Sequence, residues 1–276
     1  MNWLITGVSS GLGRALAAAA LSRGDQVAGV VRDPAQAPAL AALAPGRAHG
    51  LVADLANEAQ VTAAVEAAEA ALGSVDVLVN NAGYGLVGAV EETSLEEARD
   101  LFAVNLLGPL AAIRAALPHF RRRRAGHVIN VTSVSGVAAW WGTGLYGASK
   151  FALEGLGQTL AQEVEPLGIK VTNVAPGGMR TDYAGRSLKK TAQRFEDYDA
   201  GARTSERILA DHAGHESGDP AKVAAAILRI AGAPDAPVQL LLGADAVLYA
   251  TAASARFQAE FGRFAALSLS TGFEEG

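Results

Sequence analysis

The chain has 276 residues, enough for one large α/β domain or two small ones. Half of them are hydrophobic and 18% are charged, so a sizeable core can form and wholesale disorder is excluded. A net charge of −5 argues against a nucleic-acid partner, and the absence of cysteine excludes disulfides, thiol catalysis and cysteine-ligated metals.

In chain order, short apolar runs predict strands over 3–6, 26–31, 48–52, 75–80, 127–131, 170–174 and 239–242. Helices are expected over 12–22, 34–44, 59–72, 95–120, 145–165 and 221–230. Gly24 stops the first, Asp33 and Pro34 cap the second, and Asn57 and Gly73 bracket the third. Strict alternation of strand and helix predicts an α/β fold. The expected form is a single doubly wound Rossmann-type domain with a seven-stranded parallel sheet. One segment breaks the rhythm, a charged insertion over 178–218 after the sixth strand. Its position at a strand's carboxyl end favours a substrate lid over a plain surface excursion. A C-terminal helical tail over 244–276 carries Phe257, Phe261 and Phe264, for which core or subunit packing is expected rather than membrane contact. The glycine motif begins at Thr6, which leaves no room for a targeting segment before it, and a cytoplasmic location is expected.

The stretch Thr6-Gly7-Val8-Ser9-Ser10-Gly11-Leu12-Gly13 joins the first strand to the first helix. Glycines there permit a tight turn, and the helix start offers N–H groups to a pyrophosphate. Cofactor choice is read where the second strand ends, at Val31-Arg32-Asp33. The guanidinium of Arg32 can hold a 2′-phosphate, and Ser9 and Ser10 can add hydroxyl donors. Asp33 is the rival, an acid that would select NAD, but it already has work as a helix cap. Tyr146 and Lys150 lie four apart on a predicted helix and so share a face. An ammonium beside a phenol stabilises the phenolate and lowers a pKa that is otherwise about 10. Ser133 lies just past the fifth long strand, where its hydroxyl can donate to a carbonyl oxygen; Ser135 in the same loop is its rival. Asn105 is unfavourably placed inside a long helix.

These residues together resemble the short-chain dehydrogenase/reductase family, in particular its hydroxysteroid-dehydrogenase-like members. The G-x-x-x-G-x-G spacing, the Asn80-Asn81-Ala82-Gly83 element and the Pro176-Gly177 loop match that family, with agreement running from Thr6 to about Gly177. The resemblance implies a catalytic tetrad of Asn105, Ser133, Tyr146 and Lys150. Asn105 would bend its helix and hold a water leading to the lysine. The family's spacing to the tyrosine selects Ser133. Cofactor contacts would come from Gly7, Ser9, Ser10, Gly11, Leu12, Gly13, Arg32, Asp54, Leu55, Asn81, Ala82, Gly83, Tyr146, Lys150, Pro176, Gly177 and Thr181. Asp54 would meet the adenine amino group, although a loop-capping role serves it equally well. Thr181 would hold the carboxamide and so expose one face of the nicotinamide, the pro-S face. The expected activity is interconversion of a bulky apolar ketone and a secondary alcohol, with NADP(H) preferred and NAD(H) allowed. The alternatives are an NAD-dependent alcohol dehydrogenase, a non-catalytic dinucleotide-sensing regulator and, with too little chain for it, a sugar-nucleotide epimerase. A homodimer or homotetramer is implied. Arg121 to Arg124 read as a solvated helix end, His212 and His215 lack a third metal ligand, and no metal is expected. Trp140 and Trp141 fit either a substrate pocket or the core.

Overall fold

Strands buried on both faces of a parallel sheet have no polar side, so they read as unbroken apolar runs. The computed structural model describes residues 1–181 and 187–273 and places those runs side by side. The chain opens with β1 (Asn2–Thr6), α1 (Gly11–Ser22), β2 (Gln26–Val31), α2 (Ala37–Ala41), β3 (Ala48–Val52), α3 (Glu58–Leu72) and β4 (Val77–Asn80). A short β5 (Gly85–Val87) precedes α4 (Leu95–Phe102), α5 (Gly108–Arg123), β6 (Gly126–Val131), α6 (Gly144–Val164) and β7 (Ile169–Pro176). Then come β8 (Leu188–Lys190), α7 (Arg203–His212), α8 (Pro220–Ala231), β9 (Gln239–Leu242), α9 (Ala244–Arg263) and α10 (Ala265–Leu269).

Seven strands form one parallel sheet in the order β3-β2-β1-β4-β6-β7-β9. This is the single Rossmann-type α/β domain expected. The pleat sends Trp3 and Ile5 of β1 to one face, with Leu16 of α1 and Ile227 of α8. Leu4 goes to the other face, with Val65 of α3, Ile113 and Phe120 of α5 and Leu160 of α6. The winding direction reverses between β1 and β4, which opens a crevice outside their carboxyl ends.

Local chemistry explains the element bounds. Asn57 caps α3 by accepting from Gln60 N at 3.1 Å. Ser94 and Glu97 form a reciprocal capping box at the start of α4. The helix expected over 34–44 is instead a 3-10 turn, Pro34–Gln36, followed by the five-residue α2. Pro38 has no backbone N–H to donate to Pro34 O, and this breaks it. The helix expected over 95–120 is split into α4 and α5 by a π-helical turn, Ala103–Leu107, that contains Asn105. From Leu95 to Arg123 the helical run is long and apolar enough to cross a membrane, with mean hydropathy 1.5. Its Leu101, Ala112, Ile113 and Phe120 are buried in this domain, so it is a core helix.

Two short strands carried no readable periodicity: β5 and β8, three residues each, pair in parallel as a second small sheet. The strand β8 lies in the 178–218 insertion, together with α7; its residues 182–186 lie outside the described residues. The insertion closes on itself, because Gly218 N donates to Gly178 O at 3.0 Å and Arg180 N to Gly218 O at 2.9 Å. The tail forms α9 and α10, with 274–276 outside the described residues, and it does not pack into the core. Phe257 is 74% exposed and Phe261 63%.

Candidate active site

The carboxyl ends of β1, β4, β6 and β7 bring together the residues singled out in the sequence. At β1 the loop turns through Gly7, whose φ of 74° suits glycine. Gly13 lies so close to the loop that a Cβ there would sit 2.3 Å from Gly7 O, so no larger residue fits. Asn81 locks this loop from β4: its Nδ2 donates to Thr6 O at 2.8 Å and to Gly7 O at 3.2 Å. The hydroxyl of Thr6 accepts from Asn81 N and Ala82 N in return. Asn81 therefore fixes the shape of the glycine loop after β1. Ser10 is the N-cap residue of α1, yet its side chain makes no cap hydrogen bond, so it does not occupy the first-turn N–H groups. Leu12 is buried, so only its backbone faces the crevice. Ser9 is exposed beside it. This uncapped helix start behind a glycine turn fits a dinucleotide pyrophosphate.

At the end of β2, Asp33 accepts from Ala35 N at 3.0 Å and acts as the cap of the next turn. Arg32 is exposed and makes no ion pair or hydrogen bond among the described residues. Asp54, past β3, is also exposed and accepts from Ala56 N at 3.0 Å, a loop-capping contact. Leu55 beside it packs on Gly108 of α5.

The other end of the crevice is built around Lys150. Its ammonium donates to Val131 O, at the end of β6, at 3.0 Å. It lies 6.0 Å from the ring centroid of Tyr146, one helical turn earlier. Gly83 packs against it, since a Cβ there would lie 3.4 Å from Lys150 Nζ and 3.1 Å from Asn105 Oδ1. Asn105 accepts from Tyr84 N at 3.1 Å and donates to Tyr84 O at 2.9 Å and to Ser149 Oγ at 3.2 Å. The π turn thus turns a mid-helix Asn inward, where its amide holds the backbone after β4. Burial pushes Lys150 down to about 8, and the carboxylate of Glu154 partly offsets this. Ser133 follows β6, and its Oγ accepts from Ser135 N at 3.1 Å. Pro176 and Gly177 end β7 and begin the next loop, and Thr181 of that loop approaches Gly11, at 3.7 Å from where a Cβ would lie.

Three groups at this edge escaped the sequence reading. Asp245, at the start of α9, accepts from Gly178 N at 2.7 Å and so holds the loop after β7. Tyr249 of α9 meets Trp140 edge-on at 5.3 Å between centroids, while Trp141 is 67% exposed and is not a core residue. Glu154 is buried one turn beyond Lys150. Of these, only Glu154 carried a sequence signal, its four-residue step from Lys150.

Similarity to known proteins agrees with this geometry. The short chain dehydrogenase family model matches residues 2–192. The chain is 36% identical to the oxidoreductase BOA17 of Botryotinia fuckeliana, over 98% of each chain. It is 35% identical to the 3-ketodihydrosphingosine reductase of Bacteroides thetaiotaomicron, over 87% of each. A solved short-chain dehydrogenase from Streptomyces avermitilis superposes with a TM-score of 0.92 at 38% identity, covering 98% of both chains. The chain belongs to the short-chain dehydrogenase family and is an NAD(P)-dependent oxidoreductase acting on CH–OH groups.

Proposed function

We propose that the chain interconverts a bulky apolar ketone and its secondary alcohol with NADP(H), using Tyr146 as the acid/base. The observation that carries this reading is the seat of Lys150, buried, anchored on Val131 O and 6.0 Å from the Tyr146 ring. An ammonium held there has a ready electrostatic task, the stabilisation of a phenolate. In the reductive direction, Ser133 and Tyr146 donate hydrogen bonds to the carbonyl oxygen. Tyr146 passes its proton to that oxygen as charge develops on it. Lys150 stabilises the phenolate left behind, and Asn105 supports the route by which it is reprotonated. When bound, the dinucleotide supplies the hydride. Its pyrophosphate would be held by Gly7, Ser9, Ser10, Gly11, Gly13 and the N–H of Leu12. Arg32 would take the 2′-phosphate. Asp54 and Leu55 would flank the adenine, and Asn81, Ala82, Gly83, Pro176, Gly177 and Thr181 the nicotinamide side.

The preference for NADP(H) is supported by the exposed, unengaged guanidinium of Arg32 next to an Asp33 already used as a cap. The apolar substrate is supported by Trp140, Trp141 and Tyr249 near the site and by a relative whose name is that of a keto-lipid reductase. The 178–218 insertion would be the lid over this substrate. We assign the chain to the cytoplasm, as a homo-oligomer. The test is Tyr146→Phe assayed with NADPH and a panel of bulky ketones. Cofactor binding should persist while turnover falls by about 10²–10⁴-fold. A variant that keeps its turnover overturns the role of Tyr146.

A further inference from the structure

One buried carboxylate near the site has no role in the scheme above. Glu154 is 3% exposed and lies on α6 four residues past Lys150, so the two share a helix face. A carboxylate taken out of water must be paired or well hydrogen-bonded. Glu154 is met by donors from just past β6, from within β7 and from the start of β9. The hydroxyl of Thr132 donates to Oε1 at 2.5 Å. Asn173 Nδ2 of β7 donates to Oε2 at 3.0 Å and Gln239 Nε2 of β9 at 3.3 Å. Behind Asn173 runs a ladder of buried amides across the sheet. Asn130 Nδ2 donates to Asn173 Oδ1 at 3.0 Å, and Asn80 Nδ2 to Asn130 Oδ1 at 2.9 Å. Among the described residues, the donors to the Glu154 carboxylate are all neutral. The groups around Lys150 from neighbouring elements, Val131 O of β6, Gly83 and the amide of Asn105, carry no charge either. Its own helix supplies Tyr146 and Glu154.

We propose that Glu154 is a positioning residue for the Tyr146–Lys150 pair, a buried carboxylate held by Thr132, Asn173 and Gln239 that keeps the desolvated lysine in its ammonium form. This rests on the reading of Tyr146 and Lys150 given above. The argument is one of charge. Removing water from Lys150 favours the neutral amine, which cannot stabilise a phenolate. The negative charge one turn along opposes that loss, and the ladder fixes it by orienting donors at it from β7 and β9. Without it the lysine would discharge near neutral pH and Tyr146 would titrate higher.

The test is the titration of the Lys150 side chain by ¹³Cε NMR in the intact protein, its resonance separated from those of Lys170, Lys189, Lys190 and Lys222 with Lys150→Arg. The wild type should titrate near 8. Glu154→Gln removes the charge and keeps the shape. Its amide can donate to Thr132 Oγ1, whose proton then turns to Val174 O, 3.0 Å away. Lys150 should then titrate about one unit lower. The near-ultraviolet phenolate titration of Tyr146, taken as the difference from the same protein with Tyr146→Phe, should move up. Gln239→Lys, at an exposed edge position, places a cation against Glu154 and should shift Lys150 in the same downward direction without disturbing the core. It serves if Glu154→Gln does not fold. A Lys150 titration unchanged in the folded variants overturns the proposal, even if their melting temperatures fall. None of these titrations needs a substrate, so retained turnover in Tyr146→Phe would sink the Tyr146 reading separately.

Discussion

The proposed phosphate contact rests on Arg32. It is an exposed cation at the carboxyl end of β2, and the neighbouring Asp33 carboxylate is turned back to Ala35 N. A guanidinium–phosphate contact is charge-assisted and contributes about 1.5–3 kcal/mol, which is roughly 10- to 100-fold in affinity. Arg32→Ala should weaken NADPH by that factor in a fluorescence titration and leave NADH nearly unchanged. Equal losses for both would remove Arg32 from phosphate recognition. At this scale the sequence was a good guide, because the pitch of a helix sets the Tyr146–Lys150 step and a glycine turn sets its own shape. It was a poorer guide to partners. Nothing local in the sequence shows that the Asn81 amide donates to Thr6 O and Gly7 O, across 74 or more positions of chain.

Among elements, one buried carboxylate ties α7 of the insertion to the segment after β5. Glu92, between β5 and α4, accepts from Ala89 N and from Phe195 N, each at 2.7 Å, and is paired with Arg203 of α7. The Arg203 guanidinium holds Glu92 well down, at about 2. Both side chains are buried, so loss of one partner leaves an uncompensated charge, at a cost of about 3–5 kcal/mol. Arg203→Met should therefore lower stability by about that much and expose α7 to hydrogen exchange before the main sheet. The pH sign follows from a lowered carboxylate. The contribution is whole above the unfolded-state value near 4.5 and is lost as pH falls from there through about 2. Protection of α7 that is unchanged in Arg203→Met would show that the latch carries no load. The 111-residue separation of Glu92 and Arg203 made this contact invisible in the sequence, as were β5 and β8, too short to show a period.

For the whole molecule, α9 is anchored at one end and open along the rest. Asp245 and Tyr249 tie its start to Gly178 and Trp140, while Val247, Leu248, Phe257, Phe261 and Phe264 are exposed. Exposed apolar surface on this scale suits the subunit packing proposed above. Along the same helix Arg263 pairs with Glu260 at 3.5 Å. Phe257→Ser with Phe261→Ser should lower the mass found by light scattering and leave the circular dichroism unchanged; an unchanged mass would place the seam elsewhere. By itself the sequence determined the order of the seven main strands and the sheet class, through short-range periodicity and turn chemistry. Helical spacing put Tyr146 and Lys150 on one face, and the resemblance to the family singled out Asn105 and Ser133 beside them. Only the tertiary structure decided that α9 lies outside the core, that Glu92 latches the insertion and that Glu154 is buried among donors from other strands. Each of those depends on which distant strands and helices the sheet brings together, and burial turns their charges from solvated groups into interacting ones.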